Sequence, residues 1–417
     1  MSLIIDNEPR AYDWGKPGGI RALRGTISRA YQTERPNDGV FPATDPETPE
    51  AELWLGTHPT WQSVVSRGNA AGMQLSDALR AEGREPRLGF LLKLLAVDKP
   101  LSLQVHPDQE QAKAGFDRDN LAGLSFDASD RNYRDPNAKP EMLFVLSDTF
   151  ELCAGVRPID EILIDVRRAQ RNVENDDAEH RLWQSFAESL ESQSDISEAL
   201  NWLLADGGVR GSLLTEAIVR RLRAELPVFG VERDTLAVKL DAAFPSDRGI
   251  AVSLLLRHEL LARGQAIFLE PRIPHFYIEG SGIELMGPSD NVLRAGLTHK
   301  HVDIDELLQV IDPEPRAPRH LFEYHKGPMT VFHAAGAGLR LAHASAENEE
   351  QLQLPFYQGD IAFVIDGTLE VSDMDGKRQT LSTGQAALLT NAQELRFTAP
   401  SGRQGTVILA GVTDPEL

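Results

Sequence analysis

Short apolar runs closed by Asp, Pro or Gly mark the chain as far as about Gly155: FLLKLLAV over Phe90 to Val97, LSLQV from Leu101, MLFVLS from Met142 and FELCAGV from Phe150. Runs of this length between turn formers predict strands, so this part reads as sheet. From Pro158 the period changes. Ile159, Ile162, Leu163 and Val166 fall on one helix face, and the block to about Arg263 is expected to be mostly helical. Strand texture returns from Gly264 with QAIFL, HFYI and GIELM, which makes the helical block an insertion between two parts of one β unit.

Asp303, three residues before Glu306, caps a short helix through DELLQVI. Pro313, Pro315 and Pro318 then mark a linker. Beyond it, Asp366-Gly367 between IAFVI and TLEVSD predicts a type I′ hairpin, and Asp375-Gly376 follows nine residues later, the spacing of a small sandwich or barrel. The stretch Gly264-Gln-Ala-Ile-Phe-Leu recurs 120 residues on as Gly384-Gln-Ala-Ala-Leu-Leu, which points to two related β-barrels. In that register His275 falls opposite Leu395. One working barrel and one structural copy fit this better than two active sites. The expected division is residues 1–155 plus 264–312 as the catalytic β unit, 156–263 as a helical domain, and 313–417 as a C-terminal β domain without metal.

Length and charge narrow the classes of function. The 417 residues carry 42 Lys and Arg against 63 Asp and Glu, a formal net charge of −21. That field disfavours nucleic acid and anionic membranes as partners, and any anionic ligand must be held by a few local cations. The apolar runs are far shorter than the ~20 residues of a membrane span. Asp6 and Glu8 stand where a secretory signal needs an apolar stretch, and the lone Cys153 fits a reducing compartment. A cytoplasmic monomer acting on a small molecule is the expectation.

The candidate chemistry lies in three segments. Gln104 and His106, two apart on a strand, project to the same face and can converge on one ion. Lys139-Pro140-Glu141 places an amine and a carboxylate at the mouth of an apolar strand. Pro274-His275-Phe276-Tyr277 opens the returning β segment, followed by Glu284, Asp290 and Arg294. Two His, one Glu and one Gln offer mixed nitrogen and oxygen ligands. Zn²⁺ is the first choice, with Mn²⁺, Co²⁺ and Fe²⁺ left open. The rival pair His299 and His301 is read as a surface loop.

These stretches, with AYDWG at 11 to 15, ELWLGTHP at 52 to 59, KPLSLQVHPD at 99 to 108 and IELMGPSDNVLRAGLTHK at 283 to 300, resemble the type I mannose-6-phosphate isomerases (phosphomannose isomerases), zinc enzymes of the cupin superfamily. The resemblance implies a cupin-type β-barrel (jelly roll) core, a helical insertion and a second cupin-like barrel. It implies Gln104, His106, Glu141 and His275 as zinc ligands and an aldose–ketose exchange between mannose 6-phosphate and fructose 6-phosphate through an enediolate. The chain departs from the family at Ala138, where a His is usual, and at His299 and His301, where Pro and Phe are usual.

That reaction needs a base, an oxyanion stabiliser and a phosphate anchor. Glu284 is the leading base, with Lys139 second. Arg294 suits phosphate or the enediolate, and His58 suits proton shuttling in ring opening. Ser102, Trp14, Tyr277, Lys99 and Asp290 are expected to contact substrate. Two rivals remain: an Fe-dependent cupin oxygenase, and a metal-stabilised sugar-binding protein without turnover.

Overall fold

The strand Leu91–Val97 is apolar on both faces because both are buried. In the computed structural model, which describes residues 2–25, 47–173 and 176–413, its alternate residues Leu92, Leu94 and Ala96 pack on Phe332, Leu341, Ile361 and Phe363 of the C-terminal part. Leu91, Lys93 and Leu95 face the opposite way, into a cleft. Burying each leucine contributes about 1.5–3 kcal/mol, which holds the two β units face to face.

The long strand His275–Met286 organises the first β unit. Its first half pairs with Leu103–Val105 and Thr149–Val156, its second half with Leu91–Val97 and Glu141–Val145. Between the halves, a register shift at Tyr277 and Glu279 precedes Gly280, whose φ of 140° and close approach to the Phe150 ring leave no room for a Cβ. Leu103–Val105 continues to Leu293–Gly296, and Glu141–Val145 to Ala266–Leu269. The result is a mostly β fold with several helices, in keeping with the expected class.

The helical block packs Ile162, Val166, Trp183 and Phe186 against Val105, Cys153, Phe276 and Leu293, so it covers the outer face of the strands that carry the candidate ligands. Two expectations about boundaries need correction. The return to sheet begins with the strand Leu256–Ala262, paired to Thr149–Val156, and not at Gly264. Arg257 and Glu259 on one face and an exposed Leu260 on the other hide the alternation. The N-terminal strand Leu3–Asp6 pairs with Ala386–Leu388, so the first residues complete the C-terminal sheet.

The C-terminal part has an eight-stranded and a four-stranded sheet around Val364, Leu369, Val371, Leu395 and Phe397. Asp366-Gly367 is a corner and not a hairpin: Ile361–Asp366 pairs within the larger sheet, whereas Thr368–Asp373 pairs within the smaller. Asp375-Gly376 does join a hairpin, Thr368–Asp373 to Arg378–Ser382.

The 120-residue echo is structural. Gly264 and Gly384 have φ of 82° and 79°. Gln265 Oε1 accepts from the Ala262 amide and Gln385 Oε1 from the Ser382 amide, each at 2.8 Å. Gly264 donates to the Val145 carbonyl and Gly384 to the Val364 carbonyl. Leu395 is buried among apolar neighbours of the second unit.

Candidate metal centre and cleft

His106, Glu141 and His275 come from three neighbouring strand ends, and their ligand atoms lie within 4.8 Å of one another, all buried. The backbone fixes which ring nitrogens face inward. His106 Nδ1 is 2.8 Å from the Asn291 carbonyl and His275 Nδ1 is 2.9 Å from the Ile273 carbonyl. A carbonyl only accepts, so each Nδ1 carries the proton and each Nε2 presents a lone pair. Burial, and then Lys139, push the His106 imidazole down to about 3, so this ring stays neutral.

Both lone pairs meet Glu141: His106 Nε2 is 3.2 Å from Oε1 and His275 Nε2 is 3.2 Å from Oε2. Burial works to raise the Glu141 carboxyl, but the Lys139 ammonium holds it well below the usual range. Lone pairs facing a carboxylate at this separation call for a cation, and Glu141 Oε2 is buried without a hydrogen-bond partner. The Gln104 amide, opposite His275 in register and with Nε2 3.5 Å from His275 Nε2, presents Oε1 to the same point when turned over. The donor set of two imidazoles, one carboxylate and one amide oxygen therefore fits a divalent metal.

The centre opens into a cleft of about 1360 Å³. Lys139 Nζ reaches Glu141 Oε1 at 2.9 Å and His106 Nε2 at 3.4 Å. Glu284 receives Lys93 Nζ on Oε2 at 2.9 Å and the Tyr277 hydroxyl on Oε1 at 3.0 Å. Burial outweighs Lys93 and raises the Glu284 carboxyl above its ordinary value. Trp14, stacked on Tyr12, lines the cleft with Ser102, Lys99 and Asp290. His58 is placed differently from the others: it is buried behind Asp290, with Nε2 3.3 Å from Oδ1 and Nδ1 3.0 Å from Thr60 Oγ1.

Arg294 is half-buried in the cleft wall, and its buried Nε has no hydrogen-bond partner. Burial and then Arg134 lower its pKa, and burial, Arg294 and Arg134 lower that of Lys300. Three cations thus converge against their own repulsion. Arg134 and Lys300 escaped sequence reasoning, and so did Lys93 and Asn291. The signal for Lys93 was a lone charge inside an apolar strand. His299 and His301 are exposed at the cleft mouth, and the only group of metal-ligand spacing among the described residues is His106, Glu141 and His275.

Comparison with known proteins gives a consistent result. Residues 3–159 match the model of the phosphomannose isomerase type I catalytic domain. The mannose-6-phosphate isomerase of Escherichia coli (strain K12) is 31% identical over 404 residues, covering 93% of this chain and 88% of that protein. That of Salmonella typhimurium is 32% identical over 332 residues, 76% of each. A crystal structure of mannose 6-phosphate isomerase bound with zinc and yttrium superposes with a TM-score of 0.80 at 25% identity, over 99% of this chain and 100% of that one.

Proposed function

The chain belongs to the type I phosphomannose isomerase family and is an aldose–ketose isomerase, and from that premise we propose that it interconverts mannose 6-phosphate and fructose 6-phosphate at the cleft through an enediolate. The observation that carries this reading is the pairing of a metal-ligand set with three converging cations in one cleft. Gln104, His106, Glu141 and His275 hold the metal, and zinc is the ion we assign. When bound, it supplies Lewis-acid stabilisation of negative charge developing on the sugar oxygens.

The chain's own residues do the rest. Arg294, Arg134 and Lys300 bind the phosphate, offering planar and point charges that no carboxylate among the described residues claims. Glu284 takes the proton from C2 of the open-chain aldose and returns it to C1, while the enediolate charge develops on O1 and the O2 hydroxyl proton passes to O1, leaving the ketone at C2. Its raised pKa makes it a stronger base than a solvated carboxylate. Lys93 and Tyr277 fix its orientation, and Lys139 stands beside the ligands to steady the oxyanion. Asp290, backed by His58, faces the cleft where ring opening must move a proton between the hydroxyl and ring oxygen. Trp14, Tyr277, Ser102 and Lys99 form the walls.

The oxygenase rival lacks support here, since the three cations have no role toward dioxygen, whereas a phosphate ester needs them. The test is an isomerase assay with both 6-phosphosugars on metal-stripped and zinc-restored protein. Chelation should abolish turnover and Zn²⁺ restore it; full activity without metal would refute the metal role.

A further inference from the structure

Away from the cleft, a second cavity of about 400 Å³ lies where the helical block meets the strand Leu256–Ala262. Three arginines line it from three places: Arg157 just after the strand Thr149–Val156, Arg233 in the helix Val231–Ala243, and Arg257 in the returning strand. Arg157 is buried and ion-paired, giving hydrogen bonds to the Leu254 carbonyl at 2.9 Å and to Asp165 Oδ2 at 2.8 Å, although its buried Nε has no hydrogen-bond partner. Arg233 donates to the Leu256 carbonyl at 3.1 Å, and the buried Nε of Arg257 has no partner. Among the described residues, neither forms an ion pair with a carboxylate.

Three of the four carboxylates around this cavity are already engaged or lie at its rim. Asp165 belongs to Arg157. Glu232 is 3.0 Å from His258 Nδ1 with 69% of its side chain exposed, and Glu161 is 52% exposed. Glu259 approaches His320 at 4.0 Å. Burial, and next the charge of Arg157, lower the pKa of Arg233, which shows cations held close against their repulsion. The first turn of the helix also opens here, with Gly230 at its cap and no side chain capping its amides. An uncapped helix start beside two unmatched guanidinium groups presents donors to an anion from two directions.

We propose that this cavity is an anion site separate from the isomerase cleft, built for a small phosphate-bearing ligand. Planar guanidinium forks and backbone amides match the several oxygens of a phosphate. About 400 Å³ accommodates a ligand of sugar-phosphate size. The site uses none of the residues assigned to the isomerase reaction, so it stands or falls independently of that reading.

The test measures binding of inorganic phosphate to the full-length protein, with isomerase turnover followed in parallel. Wild-type protein should bind phosphate at two sites, and Arg294→Ala should retain the one at Arg233 and Arg257. The double variant Arg233→Gln/Arg257→Gln should lose that site, with at least tenfold weaker binding there and unchanged turnover. Arg233→Lys/Arg257→Lys should keep a measurable part of the affinity, and it decides the matter if the glutamine variant does not fold. A single site in the wild type, two sites in the glutamine variant, or a phosphate-soaked crystal with no anion at Arg233 and Arg257 would overturn the proposal. Malonate displacing phosphate from this site with equal affinity would overturn the assignment to phosphate.

Discussion

Lys93 and Glu284 face each other across neighbouring antiparallel strands, with Nζ 2.9 Å from Oε2 and both side chains over 90% buried. An ion pair this deep is retained at a cost in desolvation, so removing one partner strands the other. Its position on the cleft wall gives that cost a use: Lys93 and Tyr277 between them occupy both carboxylate oxygens and hold Glu284 in one orientation.

Glu284→Gln is therefore expected to lower kcat by orders of magnitude while leaving KM within a few fold, since the amide keeps the shape but cannot take a proton. Steady-state kinetics with mannose 6-phosphate measures this. Turnover within a factor of ten of wild type would move the base role to Lys139.

The pH profile follows from the same residue. Burial raises Glu284, so the acid limb of kcat/KM should lie above the ordinary carboxylate value of about 4.3. Lys93 works to lower it, and Lys93→Met should therefore shift the limb further up in pH and destabilise the fold by about 3–5 kcal/mol. A limb that moves down in Lys93→Met would contradict this electrostatic coupling.

Arg294→Ala should raise KM for mannose 6-phosphate at least tenfold, because a charge-assisted hydrogen bond contributes about 1.5–3 kcal/mol and 1.4 kcal/mol is a factor of ten. Arg134→Ala and Lys300→Ala should act in the same direction. Equal losses with unphosphorylated mannose would argue that these cations serve the sugar and not the phosphate.

Asn291 links the metal centre to the phosphate end. Its carbonyl receives His106 Nδ1, while its side chain accepts from the Arg134 amide at 2.8 Å and donates to the carbonyls of Asp135 and Asn137 at 2.7 and 3.0 Å. Asn291→Asp keeps the acceptor and loses both donations. Zinc affinity should fall about 10–100-fold, the range for partners that orient a metal ligand. KM should rise with it as the Arg134 segment loosens. Competition with a chromogenic chelator reads the first effect, and unchanged zinc affinity would show that the carbonyl alone suffices.

What the sequence revealed follows local physics. Gln104 and His106 are two apart on one strand, so their convergence was legible, and the alternation of 91, 93 and 95 places Lys93 on the face of the cleft once the strand is known to be buried on both sides. Arg134 and Lys300 were not legible, because they reach the cleft from segments outside the strands and share no period with it. The sequence places the Leu3–Asp6 strand with the nearer β unit, because pairing about 380 residues along the chain leaves no local mark. Asp366-Gly367 carried a hairpin signature but serves as a corner, since a glycine with φ of 118° suits either, and the flanking sheets decide.

The paired glycines offer a test of how far the two β units are alike. Gly264 and Gly384 share a positive φ, so a Cβ at either incurs about 1–2 kcal/mol of backbone strain. Their surroundings differ. A Cβ at Gly264 would meet nothing within 4 Å, whereas at Gly384 it would come within 2.4 Å of the Arg24 carbonyl oxygen, because Arg24 lies against the turn at Gly384. Gly264→Ala should therefore cost only the strain, and Gly384→Ala should cost more and also disturb the hydrogen bond from Arg24 Nε to the Gly384 carbonyl at 3.0 Å. Chemical denaturation of the two variants compares them directly. Equal losses would mean that the N-terminal segment yields at no cost, and that its seat against the C-terminal unit adds little to the fold.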